Sequence, residues 1–404
     1  MTQPYMFEKP LGLRDLLPPA QRATAQLEDL FHNELNRWGY DFLRTPALEF
    51  AETIGRASAI EDGQLFKFFD AEGHPVVLRP DMTTPIARIA ASSLRGQPLP
   101  LRLAYTANLY RSQKREGGHP SEFEQTGAEL IGDGTPYADV EVISLMISLL
   151  EKTGLESIRV AVGHVGFVNA FFYDMVKDKE TVRRLRHLLY NKNDVGFREY
   201  VASLNLSEAA AGKLNRFVDS RRLDNAATLD YLKTLTSGAA MPVHSYYQNI
   251  LELLDLLKID RLDGKIDLDI TLVPHLSYYT GFVFQGFGGG LGFPVASGGR
   301  YDDLLAQFNR PCPATGFGIR LDRLMSAVKT DDRKAGLRKG PRKLAVIYDH
   351  EHAEEALRFA NQVRDAGKTV VLQHSGGIDD PDAFAGQFTT IRRFLTQERT
   401  ETGE

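Results

Sequence analysis

Apolar residues recur at three- and four-residue steps from Ala23 through Leu27, Leu30, Phe31, Leu35 and Trp38, which predicts one long amphipathic helix. Pro18-Pro19 stands just before it and Gly39 where a helix C-cap belongs. Beyond it, β-rich runs predict strands at 41–46, 66–69, 76–78, 101–110 and 122–131, with a helix over about 83–93. Strands clustered this way, with helices outside the cluster, predict an α+β domain built on a mostly antiparallel sheet. A helix over 137–155 and a strand over 158–162 follow. Residues 167–258 then carry helical spacing throughout, at Leu185, Leu188, Leu189, Leu214, Leu229, Leu232, Leu251, Leu254 and Leu257, and form a helical insertion in the domain. Strands and a glycine-rich stretch resume over 266–301, and a helix opens near Arg320.

The expected domain therefore runs from 1 to 328. The charged, glycine-containing stretch 329–343 is a linker, and 344–404 is a small α/β segment of strand, helix and strand ending in a polar tail. The 404-residue length allows two or three such units. Charge changes this picture little. The net −5 of the chain, and the acidic balance of its last 65 residues, give no electrostatic footprint for RNA. A single cysteine, Cys312, excludes an internal disulfide and a Cys-based zinc knuckle, and fits a cytoplasmic protein. No apolar run is long enough to span a bilayer, and the N-terminus lacks a signal-peptide core.

The informative chemistry lies on the strand over 122–131. Alternation puts Phe123, Gln125, Gly127, Glu129 and Ile131 on one face. Gln125 and Glu129 project together, and Gly127 leaves room above the sheet for a small polar ligand. The same alternation also suits a polar face turned to water. Arg111 ends the preceding strand, and a hairpin would bring it to the same floor. The glycines over 286–290 and 297–299 make neither a phosphate-binding Walker loop nor a dinucleotide fingerprint, and mark a turn and close strand packing. Arg320 and Arg323, beside Gly316 and Gly318, suggest an anion site at a sheet edge. His350-Glu351-His352 has no metal-ligand spacing and is expected to be exposed, and Cys312 to be a bystander thiol.

In this order the segments resemble the three motifs of class II aminoacyl-tRNA synthetases, and most closely the histidyl-tRNA synthetase family, over roughly residues 5–330. Gly12-x-x-Asp15 with the long helix and Trp38-Gly39-Tyr40 to Pro46 resembles motif 1; Leu109-Tyr110-Arg111 through Glu129 resembles motif 2; Gly316 to Leu324 resembles motif 3. Leu78-Arg79-Pro80-Asp81-Met82-Thr83 and Leu276-Ser277-Tyr278-Tyr279-Thr280-Gly281 resemble the two histidine-pocket signatures. The resemblance implies that Asp81, Thr83 and Gln125 hold the amino group of histidine, that Glu129 and Tyr279 beside Tyr278 hold its imidazole, that Arg111 meets its carboxylate side, and that Tyr301 and Arg323 border the pocket. Asp81 stands where the synthetase has Glu, with the charge kept.

The departures fall on the catalytic apparatus. Pro274-His275-Leu276-Ser277 replaces an Arg-Gly-Leu-Asp, Arg111-Ser112-Gln113 replaces Arg-x-Glu, and Ser121 replaces a second arginine, with His119 nearby as partial compensation. Losing one preorganised donor costs ~10²- to 10³-fold in rate, so loss of adenylation is expected. The C-terminal segment resembles a shortened anticodon-binding domain, which implies no tRNA. A retained histidine pocket with damaged ATP chemistry resembles the regulatory subunits of ATP phosphoribosyltransferase. Membership of that family implies a class II-like dimer, without catalytic residues, metal or cofactor. The dimer associates with a short-form ATP phosphoribosyltransferase catalytic subunit, and through it histidine feedback-inhibits the first step of histidine biosynthesis. The alternative carried by the same motifs is a working histidyl-tRNA synthetase or another amino-acid-activating paralogue.

Overall fold

A computed structural model describes residues 6–58, 60–112, 120–274, 278–328 and 344–396. They fall into two compact units, Met1–Gly336 and Leu337–Glu404. The linker expected over 329–343 lies outside the described residues.

The first unit opens with α1 (Pro18–Arg37), whose prolines occupy its first turn, where the backbone N–H they lack has no intrahelical partner to lose. Its predicted apolar stripe is buried at Leu27, Phe31 and Leu35. Next come β1 (Asp41–Phe42), β2 (Leu48–Phe50), α2 (Ala51–Ala57), β3 (Lys67–Phe69), β4 (Pro75–Leu78), α3 (Thr83–Ala91), β5 (Leu101–Tyr110) and β6 (Glu122–Ile131). α4 (Pro136–Lys152) and β7 (Arg159–His164) lead into a run of helices: α5 (Val165–Val176), α6 (Lys179–Tyr190), α7 (Asp194–Ser203), α8 (Glu208–Asp219), α9 (Asn225–Thr236) and α10 (Met241–Ile259). The starts of α6 to α9 are set locally by Asp178, Asn193, Ser207 and Asp224, whose side chains each accept an orphan N–H of the first turn. The chain returns through β8 (Ile266–Leu268), β9 (Phe282–Phe287), β10 (Ala296–Arg300), β11 (Ala314–Arg320) and α11 (Leu321–Val328).

Eight of these strands form one sheet in the order β1-β5-β6-β11-β10-β9-β7-β8. It is antiparallel through its centre and parallel only at the two edge pairs, β1 with β5 and β7 with β8. The fold is the α+β class II synthetase-like architecture expected. One expectation is corrected: β2, β4 and β3 form a separate small sheet and do not join the large one. Their strands of three or four residues are too short to show in the pattern which sheet they enter.

An ion pair locks the centre of the sheet to α4. Arg300, at the end of β10, meets Asp139 at 2.8 Å, with both side chains almost fully buried. Its guanidinium also donates to the carbonyls of Asp133 and Thr135, both at 3.1 Å. This full satisfaction is what makes a buried charge tolerable. At the far end, His164 caps α5 by accepting the Phe167 N–H at 3.1 Å. Burial pushes its pKa down to about 3, so it is a neutral acceptor there.

The second unit holds β12 (Leu344–Tyr348), α12 (Ala353–Asp365), β13 (Val370–His374), α13 (Pro381–Ala385) and β14 (Thr390–Phe394). The tail expected to be polar and irregular thus supplies a third strand, in an all-parallel sheet of order β13-β12-β14. Arg392 and Arg393 interrupt the apolar pattern of β14 and hide it, but the Arg392 guanidinium stacks over Phe359 at 4.1 Å. His350 is exposed as expected, whereas His352 is half-buried against Asp349 at 2.7 Å.

Candidate functional site

The central strands place a small, partly open cavity, of about 100 Å³, over the face of β6 that carries Gln125 and Glu129. Glu129 is 1% exposed, so this face is not a water-facing one. Its carboxylate accepts hydrogen bonds from the Thr83 hydroxyl at 2.8 Å and the Tyr301 hydroxyl at 2.5 Å. Burial nevertheless dominates and, with the nearby charge of Asp81, holds its pKa up at about 7. Asp81 is fixed from both sides. One oxygen accepts the Thr84 N–H at 2.8 Å in the first turn of α3, and the other accepts the Ser58 hydroxyl at 2.7 Å.

Arg111 lines the same cavity close to Asp81, and its Nε donates to the Pro80 carbonyl at 2.9 Å. Among the described residues no acceptor reaches its terminal nitrogens. Burial lowers its pKa from the usual arginine value. Tyr278 and Tyr279, with ring centroids 4.8 Å apart, and Tyr301, 5.8 Å from Tyr278, close the aromatic side. The cavity is lined by two carboxyl groups and by a guanidinium whose terminal nitrogens still have donors to spare. That charge pattern complements the ammonium and carboxylate of a free amino acid.

Glycines in β11 make the space. Gly316 pairs with Glu129, and Gly318 with Gly127 next to Gln125. A Cβ on Gly316 would stand 1.7 Å from Glu129 Oε2, and one on Gly318 would stand 1.4 Å from Gln125 Nε2. The two polar side chains of β6 therefore lie across a strand that has no side chains at those points.

The family models for "Histidyl-tRNA synthetase" and "Histidyl-tRNA synthetase HisZ, C-terminal domain" match residues 12–324 and 345–396 respectively. A protein of Geobacillus kaustophilus named ATP phosphoribosyltransferase regulatory subunit is 46% identical over 387 residues, covering 96% of each chain. One of the same name from Bacillus subtilis is 41% identical, covering 98% of this chain and 99% of its own. The chain belongs to this family of regulatory subunits. A crystal structure described as an ATP phosphoribosyltransferase regulatory subunit/histidyl-tRNA synthetase from Bacillus halodurans superposes with a TM-score of 0.90 at 43% identity, over 98% of this chain and 100% of that one. Histidyl-tRNA synthetase from Nostoc sp. PCC 7120 shares the fold, with a TM-score of 0.78 at 18% identity, over 95% of this chain and 90% of that one.

Within this regulatory-subunit chain, Asp81, Thr83, Arg111, Gln125, Glu129, Tyr278, Tyr279 and Tyr301 all line one cavity. Arg323 is not among the lining residues. It donates to the Pro294 carbonyl at 2.8 Å and stacks over Phe293, while Arg320 takes the place at the cavity wall. The reason is the junction of strand and helix. Arg320 is the last residue of β11, in register with Gln125, whereas Arg323 lies most of a turn into α11. Arg320 is charge-matched by Asp322 at 2.8 Å and covers the Phe123 ring at 3.7 Å, so Arg111 is the cation with capacity to spare.

The room expected above Gly127 belongs to Tyr105, which faces it across the β5–β6 ladder; a Cβ at 127 would stand 2.5 Å from the Tyr105 hydroxyl. That hydroxyl accepts from Gln125 Nε2 at 3.0 Å and fixes the amide. Tyr105 is a lining residue that alternation along β6 alone does not reveal, because its place depends on the register between strands. Tyr278 and Tyr279 precede β9 and are not part of a strand, which lets two adjacent rings face one cavity.

Of the positions that depart from the synthetase pattern, Pro274 is half-buried. His119, Gln113 and 275–277 lie outside the described residues. Ser121 is buried, and its N–H donates to the Gly12 carbonyl at 2.8 Å. Gly12 has φ +80°, and a Cβ on it would stand 2.2 Å from the Ser121 hydroxyl.

Two consequences are measurable. The three atoms nearest a Gly318→Ala Cβ all belong to the Gln125 side chain, which would have to give up its bond to Tyr105. The variant should keep its thermal midpoint within a few degrees, and an amino acid held by Gln125 should bind it about tenfold more weakly. Calorimetry showing unchanged affinity would mean that Gln125 does not touch the ligand. The second concerns Glu129. The folded chain holds this proton up to about pH 7, whereas an unfolded glutamate releases it near 4.5. The fold is most favoured by this group below pH 4.5 and loses about 3 kcal/mol as pH rises through 7. Urea titrations across this window should therefore show a steeper decline for the natural chain than for Glu129→Gln; equal slopes would contradict a buried, protonated Glu129.

Proposed function

We propose that this chain is the non-catalytic regulatory subunit of an ATP phosphoribosyltransferase, binding free histidine in the cavity over β6 and conveying its inhibition to a short-form catalytic subunit. The observation that carries the reading is the buried Glu129, held by Thr83 and Tyr301, in one cavity with Asp81 and Arg111. Such a cavity suits an amino acid with an N–H-bearing side chain. Glu129 accepts the imidazole N–H with Tyr279 beside it, Asp81, Thr83 and Gln125 surround the ammonium, and Arg111 meets the carboxylate. Tyr278 and Tyr301 wall the site. Because histidine binding to one state of a complex shifts the population toward that state, occupancy of this cavity regulates a partner without chemistry of its own.

The same reading has the chain self-associate as a class II-like dimer, act in the cytoplasm, charge no tRNA and use no cofactor or metal. Among the described residues no helix is long and apolar enough to cross a membrane. Absence of activation chemistry is supported by Pro274 and Ser121 in place of cationic groups, since a preorganised charge on the developing transition state is usually the largest single contribution.

The test mixes the purified chain with a short-form catalytic subunit. Phosphoribosyl transfer to ATP should appear only in the mixture and fall on adding histidine. Histidine-dependent pyrophosphate–ATP exchange by the chain alone would overturn the proposal in favour of an amino-acid-activating enzyme.

A further inference from the structure

A second and larger cavity, about 770 Å³, lies between the helices α5, α6 and α10 and the segments around Ser58 and Thr280. Tyr278 and Tyr279 wall both cavities. One side of the larger one is cationic. Lys179, Arg183 and Arg186 stand at i, i+4 and i+7 on α6, and so on one helix face, and all three line it. Asp303 is the sole carboxylate among the lining residues, which leaves an excess of two positive charges. Arg183 is partly balanced by Glu180 at 2.8 Å. Arg186 is not balanced: its Nε is buried and has no hydrogen-bond acceptor among the described residues. Asn169 Oδ1, on α5, is likewise buried without a donor and lines the same cavity.

Leaving a buried donor or acceptor unmade costs about 1–3 kcal/mol, and more when the group is charged. Native proteins keep such groups where something else completes them. Here two kinds are left incomplete on residues that line one cavity, a cationic donor and a neutral acceptor. A small inorganic anion can meet the first but is too small to fill the space between the two. A molecule carrying both a dianionic phosphate and a hydroxyl satisfies both, and the space is large enough to hold its carbon skeleton against Tyr173 and Tyr246.

We propose that this cavity binds a phosphate monoester of a sugar or nucleoside. Its phosphate lies on Arg186, with Lys179 and Arg183 alongside, and a hydroxyl of the sugar donates to Asn169 Oδ1. The site is distinct from the amino-acid cavity and does not depend on what that cavity holds. If the smaller cavity takes histidine, the shared tyrosine wall makes the two ligands alter each other's affinity by the same factor.

The experiment is calorimetric titration of the full chain, without histidine, by ribose 5-phosphate, AMP and inorganic phosphate. At least one of the two esters should bind at a single site more tightly than inorganic phosphate, and about tenfold more weakly to Arg186→Gln. Asn169→Ala should weaken the ester and leave inorganic phosphate unchanged, which a general loss of structure would not do. Arg198→Gln, a cation on α7 paired with Asp219 at 2.7 Å, should bind as the natural chain does. Failure of both esters to bind, equal affinity for inorganic phosphate, or an Arg186→Gln variant indistinguishable from the natural chain would each overturn the proposal. Because histidine is left out, none of these results bears on the neighbouring cavity. A second titration with histidine present tests the coupling alone.

Discussion

Glu129→Gln is expected to lose histidine affinity by about 10- to 100-fold, the range set by removing one charged partner from a buried hydrogen bond. The amide is isosteric with the carboxyl and can still accept from Thr83 or Tyr301, which hold Glu129 at 2.8 and 2.5 Å. The fold should therefore survive, and the loss should be one of binding. It should be read by calorimetry near pH 8, where the natural carboxyl, with its pKa about 7, is ionised. Glu129→Ala should lose more, because it also strands two buried hydroxyls. Affinity within threefold of the natural chain for Glu129→Gln would remove Glu129 from the ligand's surroundings and, with it, the reading of the cavity.

Arg300→Met should cost about 3–5 kcal/mol of folding stability, the usual penalty for stranding a buried charge. Asp139, 2% exposed and with its pKa already pushed up to about 6 by burial, would lose the cation that holds it down and would have to take up a proton, and the carbonyls of Asp133 and Thr135 would lose their donor. The pair Arg300→Met with Asp139→Leu should recover most of the loss, since well-packed apolar replacements of a buried ion pair are often neutral. Urea unfolding of the two single variants and the double variant makes the comparison. A loss below 1 kcal/mol for Arg300→Met would mean that the pair does not hold β10 to α4. Because Tyr301 follows Arg300 directly and bonds Glu129, the single variant should also bind histidine more weakly.

What the sequence makes legible follows from how local its signals are. The apolar stripe of α1 and the alternation of β6 are repeated over many residues, and both appear where the pattern puts them. The placing of Gln125 and Glu129 on one face follows from period two alone. The misplacements need information from another strand. Gly127 looks like open space along β6, and only the register with β5 shows Tyr105 filling it. Arg320 and Arg323 are three residues apart across a change from strand to helix, where neither periodicity applies, and they point to different places. β14 escapes notice because a parallel strand at the edge of a small sheet tolerates two arginines in five residues.

The contact between Gly12 and Ser121 bears on what a single substitution at 121 would disturb. The resemblance to the synthetases puts a cationic side chain at 121. Here the N-terminal strap crosses directly above, with Gly12 in a left-handed conformation and no distance to spare. A longer side chain at 121 would start from a buried position whose N–H is already tied to the Gly12 carbonyl and whose β-substituent lies against Gly12. The serine is thus a packing residue as well as an uncharged one: it ties the segment around Gly12 to the start of β6, so a substitution at either position is felt at the other.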